Sequence, residues 1–151
     1  MHKIAKALFT LGVTAALTIG LTTSASAASN PVSVCGSGYY VQSSHELGFY
    51  IQPGVPADRP QAIVYLLYNS STGYNCVVTV VTGEQTGLPV NAGIRVADGS
   101  WIQDPGNYNS YAGPVRVKAA GKCVQYMGST RWWSSSNIYT ASYTSPLGWC
   151  G

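Results

Sequence analysis

Apolar positions along this chain recur at every second residue or gather in short unbroken runs, and beyond the first 27 residues they never hold a helical period over ten positions. The pattern therefore predicts an all-β protein. Residues 62–68 and 74–81 are β-branched and aromatic runs on either side of Asn69-Ser70-Ser71-Thr72-Gly73, the composition of a hairpin. Both runs are apolar on both faces, which places them at the centre of a sheet. Residues 90–96 and 101–103 form a second pair across Asp98-Gly99, a dipeptide that tolerates positive φ, and Pro105-Gly106 ends it. Val115, Val117 and Ala119 alternate with Arg116 and Lys118, so one face of that strand meets the core and its charges meet water. Residues 39–42 predict a first strand and 123–127 a later one. A looser segment with Trp132, Trp133 and residues 138–143 then leads back to Cys150. Three prolines make residues 52–60 a loop or an edge. Seven or eight short antiparallel strands predict a single-domain β-sandwich or open barrel, with the topology left open.

The ends of the chain set its compartment. Lys3 and Lys6 precede an apolar run over residues 7–21, and Ala25-Ser26-Ala27 offers the small residues of a cleavage site. Residues 1–27 thus read as a secretory signal peptide, cut before Ala28, and residues 28–151 as a secreted all-β domain. The apolar run is shorter than the roughly 20 residues needed to span a bilayer, so no membrane partner is expected after cleavage. Cys35, Cys76, Cys123 and Cys150 all fall in the mature part, and an even count in an exported chain predicts two disulfides. Three pairings exist. Cys35–Cys76 with Cys123–Cys150 is favoured, because each bridge then staples a terminal segment onto a neighbouring strand. No Cys-x-x-Cys spacing supports a zinc or redox site.

Only 9% of residues are charged, which excludes a disordered chain. The net charge of +3 becomes +1 without Lys3 and Lys6, leaving six basic and five acidic residues, so no nucleic-acid partner is expected. Catalytic signals are sparse. His45 is the one histidine of the mature chain, and Asp58, Glu84, Asp98 and Asp104 are scattered, with no Gly-x-Ser-x-Gly elbow to seat a nucleophile. The zinc pattern His-Glu-x-x-His stops after His45-Glu46, because position 49 is Phe. No patterned pair of carboxylates suggests glycoside hydrolysis, and no acidic loop suggests calcium. The chain is expected to be non-enzymatic, with no catalytic residue, no metal and no cofactor.

Aromatic residues are in excess, with 11 Tyr and 4 Trp. Trp132 and Trp133 are adjacent, and neighbours on a strand point to opposite faces, so both cannot enter one core. They are the candidate ligand-binding residues, since exposed aromatic faces stack on sugar rings or anchor interfaces; packing between sheets is the structural alternative. Trp101 and Trp149, beside a tight turn and a cysteine, are expected in the core or against a disulfide.

Several segments carry a family likeness: residues 63–68 with Asn69-Ser70-Ser71, Tyr74-Asn75-Cys76-Val77-Val78-Thr79, Tyr111-Ala112-Gly113-Pro114-Val115, Gly121-Lys122-Cys123-Val124-Gln125 and Gly148-Trp149-Cys150. In this order, with four cysteines, the chain resembles the small secreted spore-associated proteins of filamentous actinomycetes. The resemblance implies an exported, disulfide-bonded β protein of the spore or cell surface, with no catalytic residues to carry over. Its expected partner is a component of the spore or cell envelope, glycan included. Two rival roles are a carbohydrate-binding module using Trp132 or Trp133, and an extracellular protease inhibitor presenting residues 52–60. Edge strands could also pair chains into dimers. Asn69-Ser70-Ser71 matches a glycosylation acceptor, yet a turn needs the same residues, so it is read as structural.

Overall fold

The computed structural model describes residues 29–49, 60–84 and 86–150. The signal segment and residues 52–59 of the proline-rich loop lie outside the described residues. Among the described residues one short helix, α1 (Pro31–Cys35), precedes nine strands: β1 (Tyr40–Phe49), β2 (Pro60–Asn69), β3 (Tyr74–Val81), β4 (Leu88–Val96), β5 (Ile102–Gln103), β6 (Gly106–Tyr108), β7 (Tyr111–Lys118), β8 (Val124–Ser134) and β9 (Asn137–Thr144). They form two antiparallel sheets, one ordered β1-β2-β3-β7 and the other β5-β4-β8-β9 with β6 also on β4. The sheets pack face to face as a sandwich, around a core from both: Leu47, Val64, Leu66 and Val77 on one side, Val90, Ile94, Val124 and Tyr126 on the other.

The hairpin β2–β3 runs in unbroken register from Ala62↔Val81 to Asn69↔Tyr74, and both strands are central. Their second apolar face has its own cover. Leu67, Cys76, Val78 and Val80 form a smaller core beneath α1, with Val32, Val34 and Tyr39 packed on it. Asn69 explains the turn: it is buried, and its Oδ1 accepts from the N–H groups of Ser71 and Thr72 at 3.1 and 3.2 Å. Its amide nitrogen donates to Ser37 O at 3.3 Å. The glycosylation pattern here is thus a turn whose Asn is committed to the fold. The second predicted turn also forms, with Asp98 at φ 60° and Gly99 N–H donating to Val96 O at 2.9 Å.

Both disulfides join the favoured pairs, Cys35–Cys76 and Cys123–Cys150. Four features differ from the sequence pattern. α1 is too short for a helical period, but its ends are marked: Asn30 Oδ1 accepts from Val32 N–H at 2.9 Å, Pro31 opens the first turn and Gly36 N–H closes it on Val32 O. Arg116 is exposed as expected yet is not merely solvated, since its guanidinium donates to Cys35 O at 2.9 Å and holds the end of α1. β1 extends well past residue 42, to Phe49, and so carries His45 on a strand. β8 does not loosen after residue 127; it continues to Ser134 with strict alternation of buried and outward residues, and a two-residue turn passes it into β9.

Candidate functional site

The outer face of the five-stranded sheet gathers the polar and aromatic residues that the core does not use. On β4, Val90, Ala92 and Ile94 point inward, so Pro89, Asn91, Gly93 and Arg95 point outward. On β8 the inward set is Val124, Tyr126, Gly128, Thr130 and Trp132, which sends Ser129, Arg131 and Trp133 outward. The register aligns these rows across the sheet: Asn91↔Ser129, Arg131↔Thr140 and Trp133↔Ile138. Between them runs an open groove of about 460 Å³, lined by Pro89, Asn91, Ser129, Arg131 and Thr140, with residues 105–107 as its wall.

The groove is of mixed polarity, with one cation. Asn91 Nδ2 donates to Gln103 Oε1 at 2.8 Å, which fixes the amide, while Asn91 Oδ1 is buried with no hydrogen-bond partner. Hydroxyls of Ser129 and Thr140, the amide of Asn107 and the exposed Arg131 guanidinium offer both donors and acceptors along it. Beyond Arg131 on the same face stand Trp133 and Ile138, 47% and 55% exposed. Amides, hydroxyls and a guanidinium along an open channel suit a hydroxyl-rich chain better than a compact apolar ligand.

The two candidate tryptophans part company. Trp132 is 7% exposed, stacked on Tyr139 with centroids 5.7 Å apart, and packed over Gly48 of β1. A Cβ at position 48 would lie 2.6 Å from the indole, and φ there is +64°, so only glycine lets the ring approach. Trp132 is a core residue and offers no platform to a ligand; Trp133 faces outward beside the groove. Trp149 meets the core edge-on to Tyr126 at 5.2 Å, and Trp101 is half-buried with the Arg95 guanidinium over its ring at 5.2 Å.

Of the scattered acid and base candidates, His45 and Asp104 are engaged within the fold, and Asp58 lies outside the described residues. The His45 imidazole stacks flat on Tyr143, centroids 3.7 Å apart and 11° between planes. Asp104 accepts from Tyr108 OH at 2.6 Å and from Gly113 N–H at 2.7 Å, a clamp between β6 and β7. No group of three or more His, Cys, Asp or Glu residues that could hold a metal occurs among the described residues.

Three tyrosine phenols are perturbed. Burial pushes the Tyr126 phenol above its ordinary value, against the hydrogen bond it shares with Ser43 at 2.9 Å, which pulls the other way. Burial and the nearby Glu46 carboxylate raise Tyr65, and the bond to Asp104 raises Tyr108. A phenol raised in the folded state contributes stability that is complete below its unfolded pKa of about 10 and is lost as pH climbs through the folded value. Tyr126→Phe is therefore expected to keep more of its neutral-pH stability than the wild type above about pH 10. Denaturant unfolding followed across that range checks this, and equal alkaline slopes in the two proteins would contradict it.

No family model matches the chain, and no solved structure does. Spore-associated protein A of Streptomyces coelicolor is 42% identical over 96 residues, which make up 63% of this chain and 55% of that protein. The chain thus spans just over half the length of the relative it matches. Together with the all-β fold and its two disulfides, the alignment supports the resemblance carried by the sequence motifs: over the greater part of its length this chain is similar to the spore-associated proteins of actinomycetes.

Proposed function

We propose that this chain is an exported, non-enzymatic protein of the spore or cell surface, held there by contacts of its β-sandwich. The observation that carries the reading is the 42% identity to a protein named for its association with spores. The fold agrees with export, because two disulfides persist in oxidising surroundings and staple a domain of modest size. Co-sedimentation of the oxidised mature protein with intact spores, purified cell wall and deproteinised glycan, at low and high salt, tests it. Retention on spores or walls is the expected result, and failure to sediment with any of them at any salt would sink the reading.

The groove favours a second reading, in which the surface ligand is a glycan chain lying along β4, β8 and β9. Arg131 would make the charge-assisted bond there, and Ser129 and Thr140 the neutral ones. Arg131→Ala is expected to weaken binding to deproteinised wall glycan about tenfold, the effect of losing one hydrogen bond from a charged group. Unchanged glycan binding in that variant would move the contact elsewhere while leaving surface association intact.

A further inference from the structure

Sheet edges expose unpaired backbone groups, and folded proteins usually blunt them with charge, proline, a bulge or brevity. Three of the four edges here carry such a device. β1 has a register shift between Val41 and Ser43 and bears His45 and Glu46. β7 pairs irregularly around Val77 and Thr79 and bears Pro114, Arg116 and Lys118. Beside β4, the edge consists of β5 and β6, two and three residues long. β9 has none of these: NIYTASYT is uncharged and free of proline, and it follows β8 in unbroken register over eight residues.

The ladder also states which groups β9 leaves over. Ser145 N–H, just past the strand, donates to Tyr126 O of β8 at 2.9 Å. Ser134↔Asn137 closes the two-residue turn at the other end. Alternation along an antiparallel ladder then directs the odd-numbered residues of β9 at β8, and turns the N–H and C=O groups of Ile138, Thr140, Ser142 and Thr144 to the edge that no other described strand pairs.

We propose that two copies of this chain associate through β9, antiparallel about a two-fold axis at Ala141. Two-fold pairing of a strand with itself must set one residue opposite its own copy, so that like faces meet like faces. Centring on Ala141 uses all four outward residues: Ile138 meets Thr144 of the second copy, and Thr140 meets Ser142. On the inner face Tyr139 meets Tyr143 of the second copy. Thr–Ser and Tyr–Tyr pairs stabilise antiparallel ladders, and no like charges oppose, whereas a charged edge would repel its own copy. Self-complementarity is what selects a second copy as the occupant. The two five-stranded sheets become one, and their grooves meet across the axis through Thr140.

Sedimentation velocity of the oxidised mature protein over the micromolar range tests this, with a reversible dimer expected. Thr140 and Ser142 are both exposed, and Thr140 stands beside Arg131 within its own sheet, so a glutamate there suits the monomer. T140E/S142E opposes like charges twice and is expected to raise the dimer dissociation constant roughly tenfold or more. T140E/S142K sets opposite charges at the same two places and is expected to restore the dimer, with far-UV circular dichroism confirming the fold of each variant. A wild type that stays monomeric, a dimer indifferent to T140E/S142E, or a T140E/S142K protein that remains monomeric would each overturn the proposal.

Discussion

Trp132→Ala is expected to lower the unfolding free energy of the oxidised protein by about 3–5 kcal/mol, the usual loss for truncating a large buried aromatic. Trp133→Ala, one residue away, is expected to lower it by less than about 1 kcal/mol. The contrast follows from strand alternation. Trp132 lies between the sheets, stacked on Tyr139 and seated over Gly48. Nothing can shift to refill its space cheaply, because Gly48 has no side chain and the neighbouring strand is pinned by its ladder to β2. Trp133 is half out in water on the opposite face. Against a total of about 5–15 kcal/mol for a domain of this kind, the first change removes a large share of the stability and the second very little. Equilibrium unfolding in urea of the two variants and the wild type measures the difference. Equal losses would mean that the faces of β8 are misassigned, and the groove beside Trp133 would go with them.

The same pair shows what local pattern can and cannot convey. Alternation alone says that the two indoles part, but not which of them goes inside, because that depends on Gly48, 84 residues earlier in the chain. The hairpin β2–β3 is legible since two long apolar runs flank a turn whose Asn and Gly have local work to do. β8 is harder to see beyond residue 127, because three of its four inward positions there, Gly128, Thr130 and Ser134, are not large apolar residues, and only Trp132 is. Gly128 is small for a tertiary reason: a Cβ would lie 2.6 Å from Val64 and 2.8 Å from Thr79 of the facing sheet. β1 hides for a related reason, as an edge strand with Gln42, Ser43, Ser44, His45 and Glu46 in a row. The groove is least legible of all. It is assembled from β4, β6, β8 and β9, which no spacing in the chain brings together. Cysteine pairing is partly legible: of three possible pairings, the favoured one staples each terminal segment onto a neighbouring strand, and that is the pairing observed.

Reductant is expected to open the two bridges in a fixed order under native conditions, Cys123–Cys150 before Cys35–Cys76. Exchange requires a thiolate to reach a sulfur, so access decides the rate. Cys150 is exposed at the end of the described chain and Cys123 half-buried, whereas Cys35, the last residue of α1, and Cys76 beneath it are both buried among Leu67, Val78 and Val80. Dithiothreitol can attack the inner bridge only when α1 lifts, and lifting α1 also breaks the hydrogen bond from Arg116 to Cys35 O. The inner bridge spans 41 residues and the outer one 27. In the chain-entropy model they contribute roughly 4 and 3.5 kcal/mol. Cys35→Ala with Cys76→Ala should therefore cost somewhat more than Cys123→Ala with Cys150→Ala, since it also uncovers the apolar face of β2 and β3. The core between the sheets does not involve α1, so the inner variant should keep its strand signal in the cold and unfold at a lower temperature. Timed alkylation followed by peptide mapping reads the order directly. If the Cys35 and Cys76 peptides were alkylated first, α1 would have to open more readily than the exposed C-terminal bridge is attacked, and its role as the cover of the second core would fall.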